Sequence, residues 1–209
     1  MLLVGQYDSP LVRRVAIAMR LYDIAFEHRP WSVFGDADKI APYDPLRRVP
    51  VLILDSGESL IESAAVLDHL DQQVGPERAM IGQHGEARRK QLQLCALATG
   101  MVDKAVSLIY EHVLRKDQST LWIERCTSQI SGVLDVLEQE RSAAKNQFLF
   151  GERIGHPDIA VACAVRFVRE AHGQLFDPRR YAALAAHSDV CEALPAFLEI
   201  VQPLAPPKR

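Results

Sequence analysis

The chain has 209 residues, of which 48% are hydrophobic and 24% are charged, and its formal net charge is -3. Acidic and basic residues are interspersed along the whole length, which argues against a nucleic-acid-binding protein with a basic stripe, so we expect no nucleic-acid partner. A chain of this size can bury one large core or two small ones. Local basic pairs such as Arg13 and Arg14 are expected on solvated faces.

We expect no signal peptide at the N-terminus. Residues 1–5 are apolar, but no basic region precedes them and the apolar run is too short for a signal peptide. No stretch approaches the ~20 apolar residues of a membrane span, so we expect a cytoplasmic protein with no membrane partner. The cysteines lack CxxC and metal-ligand spacing, which predicts buried thiols and no metal; they are Cys95, Cys126, Cys163 and Cys191.

The first part of the chain alternates between strand and helix patterns. An apolar run over 1–5 predicts a strand, and apolar residues at helical spacing predict a helix over 10–22. A strand over 26–31 and a short helix over 37–41 follow. Pro50 marks the start of a third strand, because proline belongs at strand ends, and the turn after it leads into a short strand over 59–61. The order β-α-β-α-β-β-α indicates a compact α/β domain over residues 1–75.

The remainder of the chain has only helical patterns. Glycine and proline after residue 75 predict a linker over 76–85. Apolar periodicity then predicts helices over about 86–115, 119–142, 156–172, 178–187 and 189–201. We therefore expect an all-helical C-terminal domain over residues 86–209.

Ser9 stands where the first strand meets the first helix. Serine before proline is a common helix start, because the hydroxyl accepts from an early N–H and proline at the next position has no N–H to lose. One interpretation of Ser9 is therefore an N-cap. The second interpretation uses the same geometry, since a helix N-terminus collects unpaired N–H groups and positive potential that suit an anion.

Four motifs, taken in their order and spacing, resemble the glutathione S-transferase family. They are Asp8-Ser9-Pro10 followed by Arg13-Arg14-Val15, Asp44-Pro45-Leu46-Arg47-Arg48-Val49-Pro50, Ile61-Glu62-Ser63, and Gly155-His156-Pro157-Asp158. The resemblance implies a thioredoxin-like N-terminal domain followed by a helical-bundle C-terminal domain, which is the fold of that family. It also implies glutathione as co-substrate, a homodimer, and a cis peptide bond before Pro50.

The resemblance further implies roles for individual residues. Ser9 would be the catalytic group and would donate a hydrogen bond to the glutathione thiolate. The glutathione-binding residues would be Arg48, Val49, Pro50, Glu62 and Ser63, with Ser63 at the α-carboxylate and Glu62 at the α-ammonium. An N-cap for Ser63 and a solvated charge for Glu62 are the alternatives. Arg47 stands where many relatives have glycine, so the sequence does not determine the conformation of this loop or the direction of Arg48.

A pocket for the second substrate, a small hydrophobic electrophile, is expected from Tyr7, Leu11, Met101, Val106 and Tyr110, with Trp122 as a further candidate. The residues of the helical half suit core positions equally well, because they recur at helical spacing. Tyr7 is also a rival thiol activator or simply a partly buried aromatic residue. Asp158 is expected to cap its helix, with His156 at the surface.

Three functions are consistent with the sequence. The first is a glutathione transferase, in which the thiolate attacks an electrophile. The second is a non-catalytic adaptor that keeps the fold for protein contacts, although retention of Ser9, Glu62 and Ser63 favours an enzyme. The third is a glutathione-dependent isomerase or dehalogenase, in which the same thiolate serves a different substrate.

Overall fold

The computed structural model describes residues 1–207 of the chain. The fold divides into two compact units. The first unit contains Met1–Gln83 together with Leu194–Pro203, and the second contains His84–Ala193 and residues 204–207. The domain boundaries expected from the sequence stay a prediction. The grouping of Leu194–Pro203 with the first unit has no signal in the local sequence pattern.

The first unit has the predicted thioredoxin-like order of elements, with each predicted strand and helix present. The strands are β1 (Leu2–Val4), β2 (Glu27–Arg29), β3 (Val51–Ile53) and β4 (Ser59–Ile61). The helices are α1 (Pro10–Leu21), α2 (Ala37–Ile40) and α3 (Ser63–Val74). Helix α1 packs against α3, and its fully buried apolar residues form the core beside the sheet.

The four strands form one mixed sheet in the order β2-β1-β3-β4. Strand β1 runs parallel to β2 and antiparallel to β3, and β3 runs antiparallel to β4. Val4 lies opposite Arg29 on one side and Val51 on the other, and Val51 lies opposite Ile61. The ends of β1, β2 and β4 and the start of β3 therefore meet at one end of the sheet, called here the Val4 end.

The second unit is helical, as predicted. Its long helices are α4 (Gly85–Leu114), α5 (Thr120–Ala143) and α6 (His156–Ala171), followed by a 3-10 turn at Gly173–Leu175 and by α7 (Ala182–Glu192). Helix α4 packs against α5 and α6, and α6 packs against α7. Among the described residues no group of three or more His, Cys, Asp or Glu side chains is arranged to hold a metal ion.

The last two predicted helices, over 178–187 and 189–201, are wrong in position. A single helix, α7, crosses the predicted break, because nothing between Ala182 and Glu192 interrupts the helical pattern. The break comes at Ala193 and Leu194 instead, where the residue before Pro195 is disfavoured in the helical conformation. Pro195 then starts the short helix α8 (Pro195–Glu199), which packs against α1 in the first unit.

The expectation that Arg13 and Arg14 are solvated is also wrong. Their relative exposures are 2% and 3%, because α1 is covered by α3 and by α8. His156, expected at the surface, is buried as well, since α6 is surrounded by α4 and α7. Asp158 does cap this helix as predicted, because its carboxylate accepts the backbone N–H of Gly155 at 2.8 Å.

Helix α4 is long and apolar enough to cross a membrane by length and composition alone, which differs from the expectation that no such stretch exists. Its best window has a mean hydropathy of 1.4. A core helix satisfies the same criterion, and α4 packs along α5 and α6, so the observation is weak evidence for a membrane span. The four cysteines are buried and form no disulfide, as predicted.

Candidate functional site

The Val4 end of the sheet gathers the residues that the sequence singles out in the first unit. The chain leaves β1 after Val4 and passes through Gly5 to Ser9, and it leaves β4 after Ile61 towards Glu62 and Ser63. The antiparallel register sets Val4 and Ile61 on either side of Val51, the first residue of β3. Because Val49 and Pro50 immediately precede Val51, three separate loops reach the same end of the sheet.

Gly5 allows two of these loops to approach each other. Its φ of +124° belongs to a region that side-chain-bearing residues rarely adopt. A Cβ atom at this position would lie 2.5 Å from Cγ2 of Val12 and 2.8 Å from Cβ of Val49. Both distances are shorter than van der Waals contact, so a glycine here lets the first turn of α1 pack close to the Val49 loop.

Ser9 is the N-cap of α1, with extended backbone angles. Its Oγ accepts the N–H of Val12 at 3.4 Å, and its carbonyl oxygen accepts the N–H of Arg13 at 2.9 Å. The capping bond uses a lone pair of the hydroxyl and leaves its proton for an acceptor in front of the helix. The N-cap and the anion-facing interpretations of Ser9 are therefore compatible in this geometry.

The loop before β3 is organised by Asp44, a residue to which sequence reasoning gave no role. Its buried carboxylate accepts the N–H groups of Leu46 at 2.9 Å and Arg48 at 3.3 Å. Arg47 has a φ of +53°, which is the left-handed conformation that glycine adopts most easily. The Val49–Pro50 peptide bond is cis, as expected. The Asp-Pro pair at 44–45 is the sequence signal for such a side-chain-closed turn.

Arg48 and Glu62 meet across the site. Nη1 of Arg48 lies 3.1 Å from Oε1 of Glu62, and about half of each side chain is exposed. Glu62 has a φ of +65°, a strained value for glutamate and one of the features that cluster where ligands are held. Glu62 occupies the N-cap position of α3 without a side-chain capping bond, so the buried Ser63 is the first helical residue and not the N-cap.

Tyr7 packs on a histidine that sequence reasoning missed. Its ring stacks on that of His28 with centroids 3.8 Å apart and planes 4° apart. Nε2 of His28 lies 2.7 Å from the carbonyl oxygen of Gly5, and because a carbonyl only accepts, Nε2 carries the proton. Burial raises the pKa of Tyr7, with a smaller opposing effect of the Arg20 charge, so the phenol is neutral at physiological pH.

The residues predicted for a second-substrate pocket fall in both units. Tyr7 and Leu11 belong to the first unit and are partly exposed. The others lie in the second unit, where Met101 on α4 is fully buried, Val106 and Tyr110 on α4 are partly exposed, and Trp122 on α5 is exposed. Their assignment to a pocket stays a prediction.

Two family models match the chain, one in each half. Residues 3–78 match the model described as the N-terminal domain of glutathione S-transferase. Residues 121–189 match the model described as the C-terminal domain of glutathione S-transferase. The first match includes β1 from its second residue, all of β2, β3 and β4, and the three loops at the Val4 end.

Solved structures resemble the chain over nearly its whole length. A glutathione S-transferase of Methylobacterium radiotolerans in complex with glutathione sulfonate is 25% identical, with a TM-score of 0.90 and coverage of 98% of this chain and 95% of that one. A glutathione transferase family member from Pseudomonas fluorescens with bound S-(propanoic acid)-glutathione is 30% identical, with a TM-score of 0.79 and coverage of 98% and 100%. Among related protein sequences, the maleylacetoacetate isomerase of Pseudomonas aeruginosa is 26% identical to this chain. The match covers 94% of this chain and 96% of the isomerase.

Proposed function

The chain belongs to the glutathione S-transferase family, and from this premise we propose that it is an enzyme that binds glutathione and conjugates its thiolate to a small apolar electrophile. Related structures that carry glutathione derivatives support the proposal that glutathione is the co-substrate. The observation that carries the proposed chemistry is the Ser9 hydroxyl at the N-terminus of α1, which has a proton available to an anion.

In the proposed complex the peptide backbone of glutathione pairs with the backbone of Val49 beside Pro50, in the manner of an added strand. The γ-glutamyl carboxylate binds Ser63 and the first N–H groups of α3, where the helix end favours negative charge. Glu62 faces the ammonium group of the γ-glutamyl residue. Arg48 binds a carboxylate of glutathione through bidentate hydrogen bonds from its guanidinium. Each of the three loops at the Val4 end thus binds a different part of the ligand.

Ser9 then stabilises the thiolate and needs no separate base. A free thiol has a pKa of about 8.5, so only a few per cent is ionised at neutral pH. A shift of two units requires roughly 2.7 kcal/mol in favour of the anion. One hydroxyl bond to the sulfur contributes roughly 1.5 to 3 kcal/mol, and the helix N-terminus adds about 0.3 to 1 kcal/mol. Together these two contributions are sufficient.

The chemical step is an attack of the thiolate on an electrophilic carbon, which forms a sulfur–carbon bond. The electron pair of the broken bond leaves with a departing group, or it takes a proton when the electrophile is an activated double bond. We place the electrophile against Tyr7 and Leu11, which are partly exposed and close to Ser9 in the sequence of the first unit. The neutral phenol of Tyr7 suits donation to developing negative charge.

A glutathione titration followed by ultraviolet absorbance of the thiolate tests the proposal. Wild type is expected to bind glutathione and to show thiolate absorbance near pH 7. Ser9→Ala is expected to keep most of the glutathione affinity and lose the absorbance at that pH, because Ser9 touches only the sulfur. If wild type binds no glutathione and forms no thiolate, the enzyme proposal fails and the adaptor function takes its place.

A second candidate is a glutathione-dependent isomerase, which the similarity to a maleylacetoacetate isomerase over most of both chains favours. The serine-rich Ser-x-Cys signature of that branch is absent from this sequence, which ranks the isomerase below the transferase. A transferase consumes one glutathione for each product, whereas an isomerase regenerates it. Free thiol measured before and after complete turnover of a substrate separates the two.

A homodimer and a cytoplasmic location complete the proposal. The dimer rests on the family resemblance, and light scattering that gives the mass of one chain, 23.3 kDa, would rule it out.

A further inference from the structure

The turn that leads into Ser9 is hydrogen-bonded to a residue near the C-terminus of the chain. The N–H of Ser9 donates to the carbonyl oxygen of Gln6 at 3.2 Å, which closes a four-residue turn with Tyr7 and Asp8 in the middle. Such a turn does not use the N–H of its second residue. The side-chain oxygen of Gln202 accepts this N–H of Tyr7 at 3.0 Å, across 195 positions of sequence.

Arg13 fixes the segment on which Gln202 lies. The buried guanidinium donates from Nε to the carbonyl oxygen of Ile200 at 2.7 Å and from Nη2 to that of Phe197 at 3.2 Å. It also lies 5.4 Å from the centroid of the buried Phe197 ring. These carbonyls belong to the last turn of α8, where a cation is favoured.

Arg13 also belongs to the first turn of α1, since its N–H donates to the carbonyl oxygen of Ser9. The bonds therefore close a ring within the first unit: from Ser9 to Arg13, through Ile200 to Gln202, and through Tyr7 back to Ser9. Each link joins groups that are at least partly buried, where water competes weakly for the bond.

We propose that Gln202 is a positioning residue that aims the Ser9 hydroxyl at the glutathione sulfur through the backbone of Tyr7. This inference rests on the proposed function, because it assigns Gln202 to the same thiolate site. A hydrogen bond to an anion weakens steeply as its angle departs from linear, so a turn that shifts by a fraction of an ångström lowers the thiolate fraction. We expect the loops at Val49 and Glu62 to keep their geometry, because the side-chain oxygen of Gln202 bonds to the backbone of Tyr7.

Three variants of the full chain test the role of Gln202. Gln202→Leu removes the acceptor at similar volume, Gln202→Glu keeps an acceptor oxygen, and Val201→Ala changes an exposed neighbour as the matched control. The readouts are the apparent pKa of bound glutathione by ultraviolet absorbance, the KM for glutathione, and kcat with a model electrophile.

Gln202→Leu is expected to raise the apparent thiol pKa and to lower kcat below that pKa by about two- to tenfold, the size of one neutral hydrogen bond. The KM for glutathione is expected to change less than twofold. Gln202→Glu is expected to recover most of the loss, and Val201→Ala to behave as wild type. An unchanged thiol pKa in Gln202→Leu overturns the proposal, as does an equal loss in Val201→Ala.

Hydrogen–deuterium exchange of the peptide that covers residues 6–9 separates this inference from the proposed function. Gln202→Leu is expected to speed exchange there while exchange over β3 stays as in wild type. If wild type forms no thiolate at all, the proposed function fails and the catalytic role of Gln202 fails with it, although the exchange result still reports whether Gln202 holds the turn. Unchanged exchange in Gln202→Leu overturns that holding role independently of any activity.

Discussion

Arg48 and Glu62 form an ion pair across the candidate site, with 3.1 Å between Nη1 and Oε1. The two residues flank the β3–β4 hairpin, so the hairpin register brings them together. Asp44 fixes the loop of the arginine, and the start of α3 fixes the glutamate. If these two charges bind the carboxylate and ammonium groups of glutathione, as we propose, their fixed positions lower the entropic cost of ordering them on binding.

Glu62→Gln is expected to weaken glutathione binding about tenfold, because it removes the charge that we propose for the ligand ammonium and keeps the side-chain shape. Calorimetric titration at low salt measures this. Glu27→Gln is the matched control, since Glu27 forms a comparably exposed ion pair with Arg29, at 2.7 Å from its Nε, outside the site. Equal affinity in the two variants would remove Glu62 from the binding site.

Ser9→Ala and Ser119→Ala are expected to have similar effects on stability and different effects on catalysis. Each serine is the N-cap of a long helix and accepts the N–H three residues ahead, at 3.4 Å and 3.3 Å. Loss of either cap is expected to lower the free energy of unfolding by about 1 kcal/mol. Only Ser9→Ala is expected to abolish most thiol conjugation near pH 7. Urea denaturation and a conjugation assay on both variants make the comparison, and parallel losses of activity would show that Ser9 only caps.

Arg47→Gly is expected to be tolerated, and Arg47→Val is expected to destabilise the protein. The φ of +53° is strain-free only for glycine, and a β-branched residue adopts it with more difficulty than arginine does. The free energy of unfolding should change by less than about 1 kcal/mol for glycine and fall by about 1 to 2 kcal/mol for valine. Urea midpoints measure both. Asp38→Ala controls for the exposed ion pair of Arg47 with Asp38, at 3.3 Å.

Acid is expected to destabilise the second unit through His187. Burial, with a contribution from the Arg141 charge, lowers the pKa of His187 from 6.5 to about 4. Between these two values the unfolded chain binds a proton at His187 and the folded protein does not, so stability is full above pH 6.5 and is lost as the pH falls towards 4. The loss attributable to this group approaches ~3 kcal/mol.

The free energy of unfolding is measured as a function of pH. Because His187→Gln changes stability at every pH, the variants are compared by the slope of this free energy against pH. His187→Gln should flatten the slope between pH 6.5 and pH 4.5, whereas His84→Gln, which alters an exposed histidine, should leave it unchanged. Burial raises the pKa of the neighbouring Asp158. This shift opposes the effect of His187 on stability, because at acid pH the folded protein retains a proton on Asp158 that the unfolded chain releases. An identical slope in wild type and His187→Gln would contradict the role of His187.

The sequence alone predicted the features of the fold that have local causes. Proline and glycine punctuation together with apolar periodicity located every strand and the helices from α1 to α6, and the Val-Pro and Glu-Ser pairs pointed to the loops at the Val4 end. Features that depend on distant chain segments had no such signal. The burial of Arg13 depends on α8, nearly two hundred residues later, and the partner of Tyr7 is Gln202. His28 was also missed, because a single histidine in a short strand is ordinary until the fold stacks it on Tyr7.

The buried cysteines have a consequence for a protein that handles electrophiles. All four thiols lie inside the helical unit, and burial raises the pKa of both Cys126 and Cys191, so little of either is in the reactive form. An alkylating compound that reaches this protein therefore meets no exposed cysteine on its surface. Alkylation of the native chain should be limited by opening of the helices, which makes the rate of thiol labelling a measure of how often the second unit opens.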